Sequence, residues 1–350
     1  MIYGGQSGEH EISCISATYL EQTIRAAGFA PIPIYVDRHG VWHWQSAVSR
    51  KPHENSINPA ALVRLNDGVV LRSATNAVLV DFAFPIIHGP AGEDGSLQGY
   101  FEVLGLPYAG TGVASSAVSM DKALMRAVFA AADLPQVKYF VIENAAKISI
   151  DTLDQRITST MQYPVFIKPC NMGSSVGVHK VKSRAELTAA LVDAARFDDH
   201  LLCEEGLSVR ELEIAIAGNY PEYITSGVGE IQVNHEFYSY DAKYVDPNGA
   251  VLLLKAPIDA RTHAQIETLA KCAFKSVRGE GFARIDFFLD KNSGKVYLNE
   301  INTLPGFTPI SMFPQLFAAA GKSGAEMTRL IIRWGEERCK RLFELRLAAR

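Results

Sequence analysis

At 350 residues, 48% of them hydrophobic, the chain is too long for one small core and suits two or three packed subdomains. A formal net charge of −4 argues against nucleic acid as a partner, so any phosphate ligand must be met by local cations, metals and backbone amides. No apolar run is long enough to span a bilayer, and the start MIYGGQSGEHE lacks a basic-then-apolar order. Cys14, Cys170, Cys203, Cys272 and Cys339 form no CxxC pair, which together predicts a cytoplasmic protein with reduced thiols and no structural zinc.

The chain opens with a short strand, Ile2–Tyr3, running into Gly4–Gly5. Ile12, Ile15 and Tyr19, extended by Leu20 and Ile24, recur at helical spacing and predict the apolar side of a helix. PIPIYV, from Pro31 to Val36, reads as the next strand, and strand, glycine turn, helix, strand is the opening of a parallel α/β sheet. The first strand is shorter than the about 5–6 residues usual for a strand, so either the chain starts abruptly or its true start lies upstream. Residues 37–75 are turn-rich and polar with short apolar pieces, VWHW and GVVLRS, and predict a β-rich excursion. AVLVDFAFPII reads as one buried strand ending at His88–Gly89. A helix over about Gly95–Leu104 follows, then the turn GLPYAGTG and one helix over SMDKALMRAVFAAADL, near which a first boundary falls. YPVFIKP and VGVHKVK are strands around the loop CNMGSS, followed by a helix at RAELTAALVDAAR and the strand HLLCEE. The last third carries the strands RELEIAIAG, EYITSGV, ARIDFFLD and KVYLNEIN, a helix at RTHAQIETLAKCAFKSV and a C-terminal helix over GAEMTRLIIRWGEERCKRLFEL. The fold class is α/β, passing to α+β in the central and C-terminal parts.

The sharpest chemistry lies in FARIDFFLD and KVYLNEIN, separated by the turn KNSG that predicts a hairpin. Strand side chains alternate, so Arg284 and Asp286 share one face and Glu300 and Asn302 share one face. If the two faces coincide, two carboxylates, an amide and a guanidinium meet, and an all-oxygen donor set selects Mg²⁺ or Mn²⁺ over zinc. The alternative is a solvated sheet face, against which the strongly apolar flanking residues speak. Gly173, Ser174, Ser175 and Gly177 form a loop able to lie over phosphates, with Lys168 at its base; an ordinary mobile turn is the alternative. There is no GxxxxGK[ST] and no GxGxxG after a strand. His88, at the carboxyl end of a buried strand, is placed either to meet a substrate carboxylate or to be satisfied within its loop. Lys243 and Tyr244 follow the aromatic cluster FYSY; the lysine can pair with phosphate and lower the cost of a tyrosinate, or the segment is surface β-structure.

GGQSGEHEIS, HGPAGEDG, SMDK, IKPCNMGSSVGV, FYSYDAKY, ARIDFF and LNEINTLPGFTPIS occur in that order along essentially the whole chain. In this it resembles the D-alanine–D-alanine ligases of the ATP-grasp superfamily, GGxSxEHEIS and KPxxxGSSVGV being the most specific motifs. The resemblance implies a three-domain ATP-grasp architecture: residues 1–114 an N-terminal parallel α/β domain on the substrate side, 115–205 a central subdomain with the Gly/Ser hairpin, 206–350 a C-terminal subdomain with the metal site. It implies that Lys122, Lys168 and Lys243 contact phosphate, that Glu204 reads the adenine amino group, that Leu207 lines the adenine and that Glu211 meets the ribose. Asp286, Glu300 and Asn302 match ligands of two Mg²⁺ or Mn²⁺ ions. Glu9 matches the residue that orients the first D-alanine, His88 lies near that substrate, and Ser174 and Tyr244 match the partners that join Glu9 to the loop. Arg284 and the Gly306 amide match oxyanion donors, and Ser311 and Met312 fall where the second D-alanine carboxylate is held.

The implied reaction is condensation of two D-alanines through a D-alanyl phosphate, giving the dipeptide, ADP and phosphate for peptidoglycan synthesis. A homodimer with ATP and D-alanine as its ligands is implied by the same resemblance. The chain departs from the pattern at Glu205, where some relatives carry lysine, and at Gly206, where some carry a bulky aromatic. Three other readings compete: a sister ligase using D-lactate or D-serine, a dead nucleotide-binding scaffold and a dehydrogenase. Tyr244 argues against lactate, the intact Asp286, Glu300 and Asn302 against the scaffold, and the missing dinucleotide fingerprint against the dehydrogenase.

Overall fold

The computed structural model describes residues 1–50, 58–233 and 250–348. Strand β1 (Ile2–Gly4) runs parallel to β2 (Ile34–Val36), with Ile2 opposite Ile34, and β3 (Trp42–Trp44) adds to β2 antiparallel. Of the expected strand Pro31–Val36 only the last three residues pair, since Pro31 and Pro33 carry no N–H for a ladder. Gly4 sits at φ 92°, and a Cβ there would lie 2.3 Å from the Val36 carbonyl oxygen, so the turn into helix α1 (His10–Ala26) requires glycine. The helix buries the expected side only in part, Leu20 and Ile24 of it. Ser13, Cys14, Ser16, Ala17, Leu20 and Ile24 are inside, whereas Ile12, Ile15 and Tyr19 are half-buried flanks. The small hydroxyls go inward because they bond neighbouring backbone: Ser13 Oγ accepts from the Gly4 N–H (2.8 Å) and donates to the Ile86 carbonyl (2.5 Å).

The β-rich excursion is a separate antiparallel sheet, β4 (Ala60–Leu65), β5 (Gly68–Ser73) and β6 (Ala77–Val80). The single buried strand expected over AVLVDFAFPII is therefore two pieces. Its first half alternates between exposed and half-buried as β6. After the exposed Asp81 the second half runs beside β1, where Ile2 N–H donates to Phe84 O (2.9 Å) and Ile86 N–H to Ile2 O (2.8 Å). Pro85 lacks the donor that would extend this into a ladder.

Helix α2 (Ser96–Leu104) precedes α3 (Val113–Met120) and α4 (Lys122–Ala131). The single helix expected over residues 119–134 is interrupted at Asp121, which adopts extended dihedrals and caps α4 by accepting from the Ala123 and Leu124 N–H groups (2.8 and 3.0 Å). Met125 and Phe129 of α4 pack with the five-stranded sheet below rather than with the four-stranded one.

The four-stranded sheet has the order β7 (Tyr139–Ile142), β10 (Leu201–Glu205), β8 (Val165–Pro169), β9 (His179–Val181), all antiparallel neighbours, and is covered by α5 (Ile150–Thr160) and α6 (Leu187–Ala194). The five-stranded sheet has the order β13 (Ala250–Leu253), β12 (Glu222–Val233), β11 (Val209–Asn219), β14 (Gly281–Asp290), β15 (Val296–Asn302). One of its faces, with Ile214, Ile216, Ile285 and Phe287, packs on α4 and α7 (Ala260–Ser276). The other is apolar at one end, where Ala215, Ala217 and Phe282 join Tyr3, Leu20, Phe84 and residues of α8 (Met312–Ala319) and α9 (Gly324–Ala348) in a single core. At its other end the same face carries Glu211, Glu213, Arg284 and Asp286.

No helix among the described residues is long and apolar enough to cross a membrane, and the five cysteines are free.

Candidate active site

The expected hairpin forms, and its polar faces coincide. Arg284 lies opposite Asn302 and Asp286 opposite Glu300. The register then skips: Phe287 faces Leu298, so Asn299 is an extra residue on β15. This bulge decides the chemistry. With strict alternation from Val296 and Leu298, both buried, Glu300 would point into the core; with the extra residue, Asn299, Glu300 and Asn302 are all on the open face while Ile301 is buried.

Arg284 is clasped by Asp286, Nε donating to Oδ1 and Nη2 to Oδ2, both at 2.7 Å, and Asn302 Nδ2 donates to Asp286 Oδ2 at 3.0 Å. Glu213, opposite Asp286 on β11, approaches Arg284 Nε at 3.1 Å and was not anticipated from the sequence. Burial opposes the Arg284 charge, but Asp286 and Glu213 outweigh it and hold the guanidinium protonated beyond even its ordinary range. Two residues before Glu213, Glu211 is half-buried on the same face, and Leu207 is half-buried just ahead of β11.

Lys168, on β8, donates to Glu204 Oε1 at 2.6 Å, two residues diagonal across the β8–β10 pair, since Lys168 itself lies opposite Leu202. The other oxygen of Glu204 accepts from Arg126 Nη2 at 2.8 Å. Arg126, a buried residue of α4, also escaped the sequence reading. Burial alone would raise the Glu204 pKa; the two cations overcome it and pull the carboxyl below its ordinary value. Burial and the Arg126 charge likewise hold Lys168 below the ordinary lysine value. Lys122, the first residue of α4, donates to the Met172 carbonyl (2.6 Å) and stands 3.9 Å from Glu300 Oε2. It thereby joins the strand pair to the Gly/Ser loop.

That loop carries Ser174 and Ser175 at φ 51° and 59°, and the Ser174 hydroxyl donates to Glu9 Oε1. A Cβ on Gly173 would lie 3.1 Å from Glu9 Oε2, which is how closely the loop backbone approaches. Glu9 caps the start of α1 in chain position, and two turns on Ser16 Oγ lies 3.0 Å from His88 Nε2. The other ring nitrogen of His88 lies 3.0 Å from Leu304 O and 3.7 Å from Glu93 Oε1. Burial disfavours the imidazolium, yet Glu93 and Glu9 hold its pKa above the ordinary value; burial raises that of Glu93. His88 is thus satisfied by protein and also faces the Glu9 side. Beyond Leu304, Gly306 approaches Ser311, whose hydroxyl accepts from Thr308 N–H (3.1 Å) at the start of α8. The Met312 side chain is in the core, leaving its backbone amide as the group it can offer.

Of the expected residues, Lys243 and Tyr244 lie outside the described residues. Several of the others are brought together by Ser174–Glu9, His88–Leu304 and Lys122–Glu300. None of them lines the surface cleft of about 580 Å³ between Ala130, Gln136, Tyr139 and Met161. Gly206 fits glycine alone: its N–H donates to Pro164 O (2.9 Å), and a Cβ would lie 2.6 Å from that oxygen. Glu205 is held by backbone, its N–H donating to Lys138 O (2.9 Å). Among the described residues no group of three or more His, Cys, Asp and Glu is arranged for a metal. The donor set present at the strand pair is two carboxylates and an amide.

Residues 1–111 match the family model described as D-ala D-ala ligase N-terminus, and residues 128–333 that described as D-ala D-ala ligase C-terminus. The chain is 45% identical to the D-alanine–D-alanine ligase of Heliobacterium modesticaldum, covering 95% of this chain and 92% of that one. It is 39% identical to D-alanine–D-alanine ligase A of Bradyrhizobium diazoefficiens, covering 95% and 93%. Among solved structures it is similar to the D-alanine–D-alanine ligase of Coxiella burnetii (TM-score 0.88, 32% identity, 99% and 96% covered). It is also similar to the VanG D-Ala:D-Ser ligase of Enterococcus faecalis (TM-score 0.83, 31% identity, 95% and 98% covered).

Proposed function

The chain belongs to the D-alanine–D-alanine ligase family, and on that premise we propose that it condenses two D-alanines, with ATP, into D-alanyl-D-alanine, ADP and phosphate for peptidoglycan synthesis. The observation that carries the reading is the coincidence of Arg284, Asp286, Glu300 and Asn302 on one sheet face, with Lys122 reaching toward Glu300 from the loop side.

In the first step a carboxylate oxygen of one D-alanine bonds to the γ-phosphorus of ATP while the bond to the β–γ bridging oxygen breaks, giving D-alanyl phosphate and ADP. Lys122 and Lys168 supply local positive charge to the phosphates, joined by Lys243. Glu204 meets the adenine amino group, Leu207 lines the base and Glu211 meets the ribose. Glu9, held by Ser174 and partnered by Tyr244 through the loop, takes the ammonium of the first D-alanine, with His88 beside it. In the second step the free amine of the other D-alanine bonds to the acyl carbon, the bond to the phosphate oxygen breaks, and phosphate leaves together with the proton that the nitrogen gives up. The negative charge that develops on the acyl oxygen is met by Arg284 and the Gly306 N–H. The carboxylate of the second D-alanine sits at Ser311 and the Met312 amide, where a helix start offers backbone N–H groups to an anion. The loop over the site keeps water from the acyl phosphate.

Asp286, Glu300 and Asn302 fit two Mg²⁺ or Mn²⁺ ions in donor chemistry. All are oxygen donors, Asp286 keeps lone pairs beyond the bonds it accepts, and Asn302 donates through its nitrogen, so its oxygen would be the atom to meet an ion. When bound, such ions neutralise phosphate charge. Three units with the boundaries 1–114, 115–205 and 206–350 are part of the proposal, α4 of the middle unit packing on the last.

A homodimer and a cytoplasmic location complete the proposal. Val63, Leu65 and Val103 leave apolar side chains exposed on β4 and α2, neighbouring elements joined by Tyr100 Oη donating to Leu62 O (2.7 Å). Light scattering in solution tests the dimer. The function is tested by phosphate release with ATP, Mg²⁺ and D-alanine, with D-serine and D-lactate in parallel arms and products identified by mass. Dipeptide from D-alanine is expected; a faster mixed product with D-serine would move the chain to the D-serine ligases.

A further inference from the structure

Arg126 is 1% exposed, among the largest fully buried side chains of the molecule. Its guanidinium reaches two places. Nη2 donates to Glu204 Oε2 (2.8 Å) in the four-stranded sheet. On the other side, Nη1 donates to Leu298 O (3.1 Å) and Nη2 reaches Asn299 Oδ1 (3.4 Å). Those two residues are the bulge of β15. The group lies 5.7 Å from the centre of the Tyr139 ring, and the chain beyond α4 is tied to the same strand by Leu298 N–H donating to Pro135 O (2.8 Å).

We propose that Arg126 is a positioning residue that sets both halves of the site together: it orients Glu204 toward the nucleotide base, and it fixes the bulge that turns Glu300 and Asn302 to the side of Asp286. The inference rests on the function proposed above and deepens it.

Three arguments carry it. First, Glu204 shares its two oxygens between Lys168 and Arg126. When phosphate draws Lys168 away, Arg126 is the cation that stays, keeping the carboxylate charged and aimed. Second, a bulge leaves the ladder locally unpaired, and a strand slipped by one residue would send Glu300 inward. Arg126 binds the carbonyl before the extra residue and the side chain of that residue, contacts that the slipped register would lose. Third, buried ion pairs add little net stability over apolar residues of the same volume, so stability alone does not account for this one. A planar fork is suited to serving two acceptors at once.

The test uses the full chain with Arg126→Met and Arg126→Lys. Calorimetric titration with ADP and Mg²⁺ reads binding without turnover, and amide hydrogen exchange reads residues 298–302. Steady-state kinetics give KM for ATP and for D-alanine, kcat and the half-saturating Mg²⁺. In Arg126→Met, ADP affinity and the Mg²⁺ midpoint are each expected to weaken by about 10–100-fold, the scale for residues that support ligands from behind. Exchange at 298–302 should quicken, while KM for D-alanine stays within about twofold. Arg126→Lys keeps a cation for Glu204 but no second arm, so ADP affinity should largely return while the Mg²⁺ midpoint stays raised.

Unchanged ADP affinity and Mg²⁺ midpoint in Arg126→Met would overturn the proposal, as would a fall in melting temperature or kcat alone. If Arg126→Met does not fold, Arg126→Lys decides: native values for both midpoints would sink the two-armed role. Wild-type protein that makes no dipeptide sinks the functional reading instead, and the ADP and exchange arms still judge Arg126.

Discussion

Arg284 touches Asp286 with both arms and Glu213 with one, and it stands two residues from a proposed metal ligand. A cation so held is pre-aimed, and interactions realised only as charge develops raise turnover more than they tighten ground-state binding. Arg284→Ala is expected to lower kcat by about 10²–10³ with far less effect on ATP affinity. Arg284→Lys should recover only part, because an ammonium cannot present the planar fork. Steady-state kinetics with an ATP titration check this, and loss of ATP binding with normal saturated turnover would make Arg284 a nucleotide clamp. At Glu204 the expectation concerns acid stability. Its folded-state pKa is depressed, so its contribution is fully present above the ordinary carboxylate value of about 4.3 and is lost as pH falls through the lowered value. Denaturant titrations between neutral and acid pH should show this loss in the wild type and a flatter acid limb in Glu204→Gln. Arg284, Asp286, Glu300 and Asn302 were readable because alternation puts them on faces. Glu213 and Arg126 were not: the first depends on which strand β11 pairs with, the second on a helix docking against two sheets.

Several elements differ from their sequence patterns for reasons that are themselves local. The apolar run from Ala77 to Ile87 conceals a change of sheet at Asp81, and the helical run around Lys122 conceals a cap at Asp121. Both aspartates were visible, but a hydrophobic run outweighs one polar residue in any reading by periodicity. The cap presents Lys122 at the first position of α4. Asp121→Ala should cost about 0.5–2 kcal/mol in denaturant unfolding and raise KM for ATP, and unchanged stability would show the cap to be idle. The bulge had a signal too: the buried residues of β15 are Val296, Leu298 and then Ile301, a step of three where a regular strand takes two. It follows that deleting Asn299 leaves every face in place, since Glu300 already pairs with Asp286 and Leu298 with Phe287. That variant should fold with a melting temperature near the wild type. A ΔAsn299 chain that fails to fold would contradict this.

At the scale of the molecule, one core unites Met1, Tyr3, Leu20 and Phe84 with Phe282, Phe313, Ile331 and Trp334. Arg338, buried on α9, locks this arrangement by donating to the carbonyls of Gly110 and of Tyr108 (3.0 Å) while lying 4.3 Å from the Tyr108 ring. Arg338→Met is expected to destabilise by about 1–3 kcal/mol for each carbonyl left without its donor, measured by denaturant unfolding. The order of motifs made the overall architecture legible, yet nothing in local pattern announces that the first helix rests on the last, because such contacts are set by packing between distant segments. That union also has a bearing on synthesis in the cell. A ribosome adding about 5–20 residues per second needs roughly 10–45 s to travel from Ala109 to Trp334. For that interval Leu20, Ile24 and Phe84 emerge without the aromatic residues that will cover them, so the nascent chain, rather than the finished enzyme, is the form in which this protein most needs a chaperone.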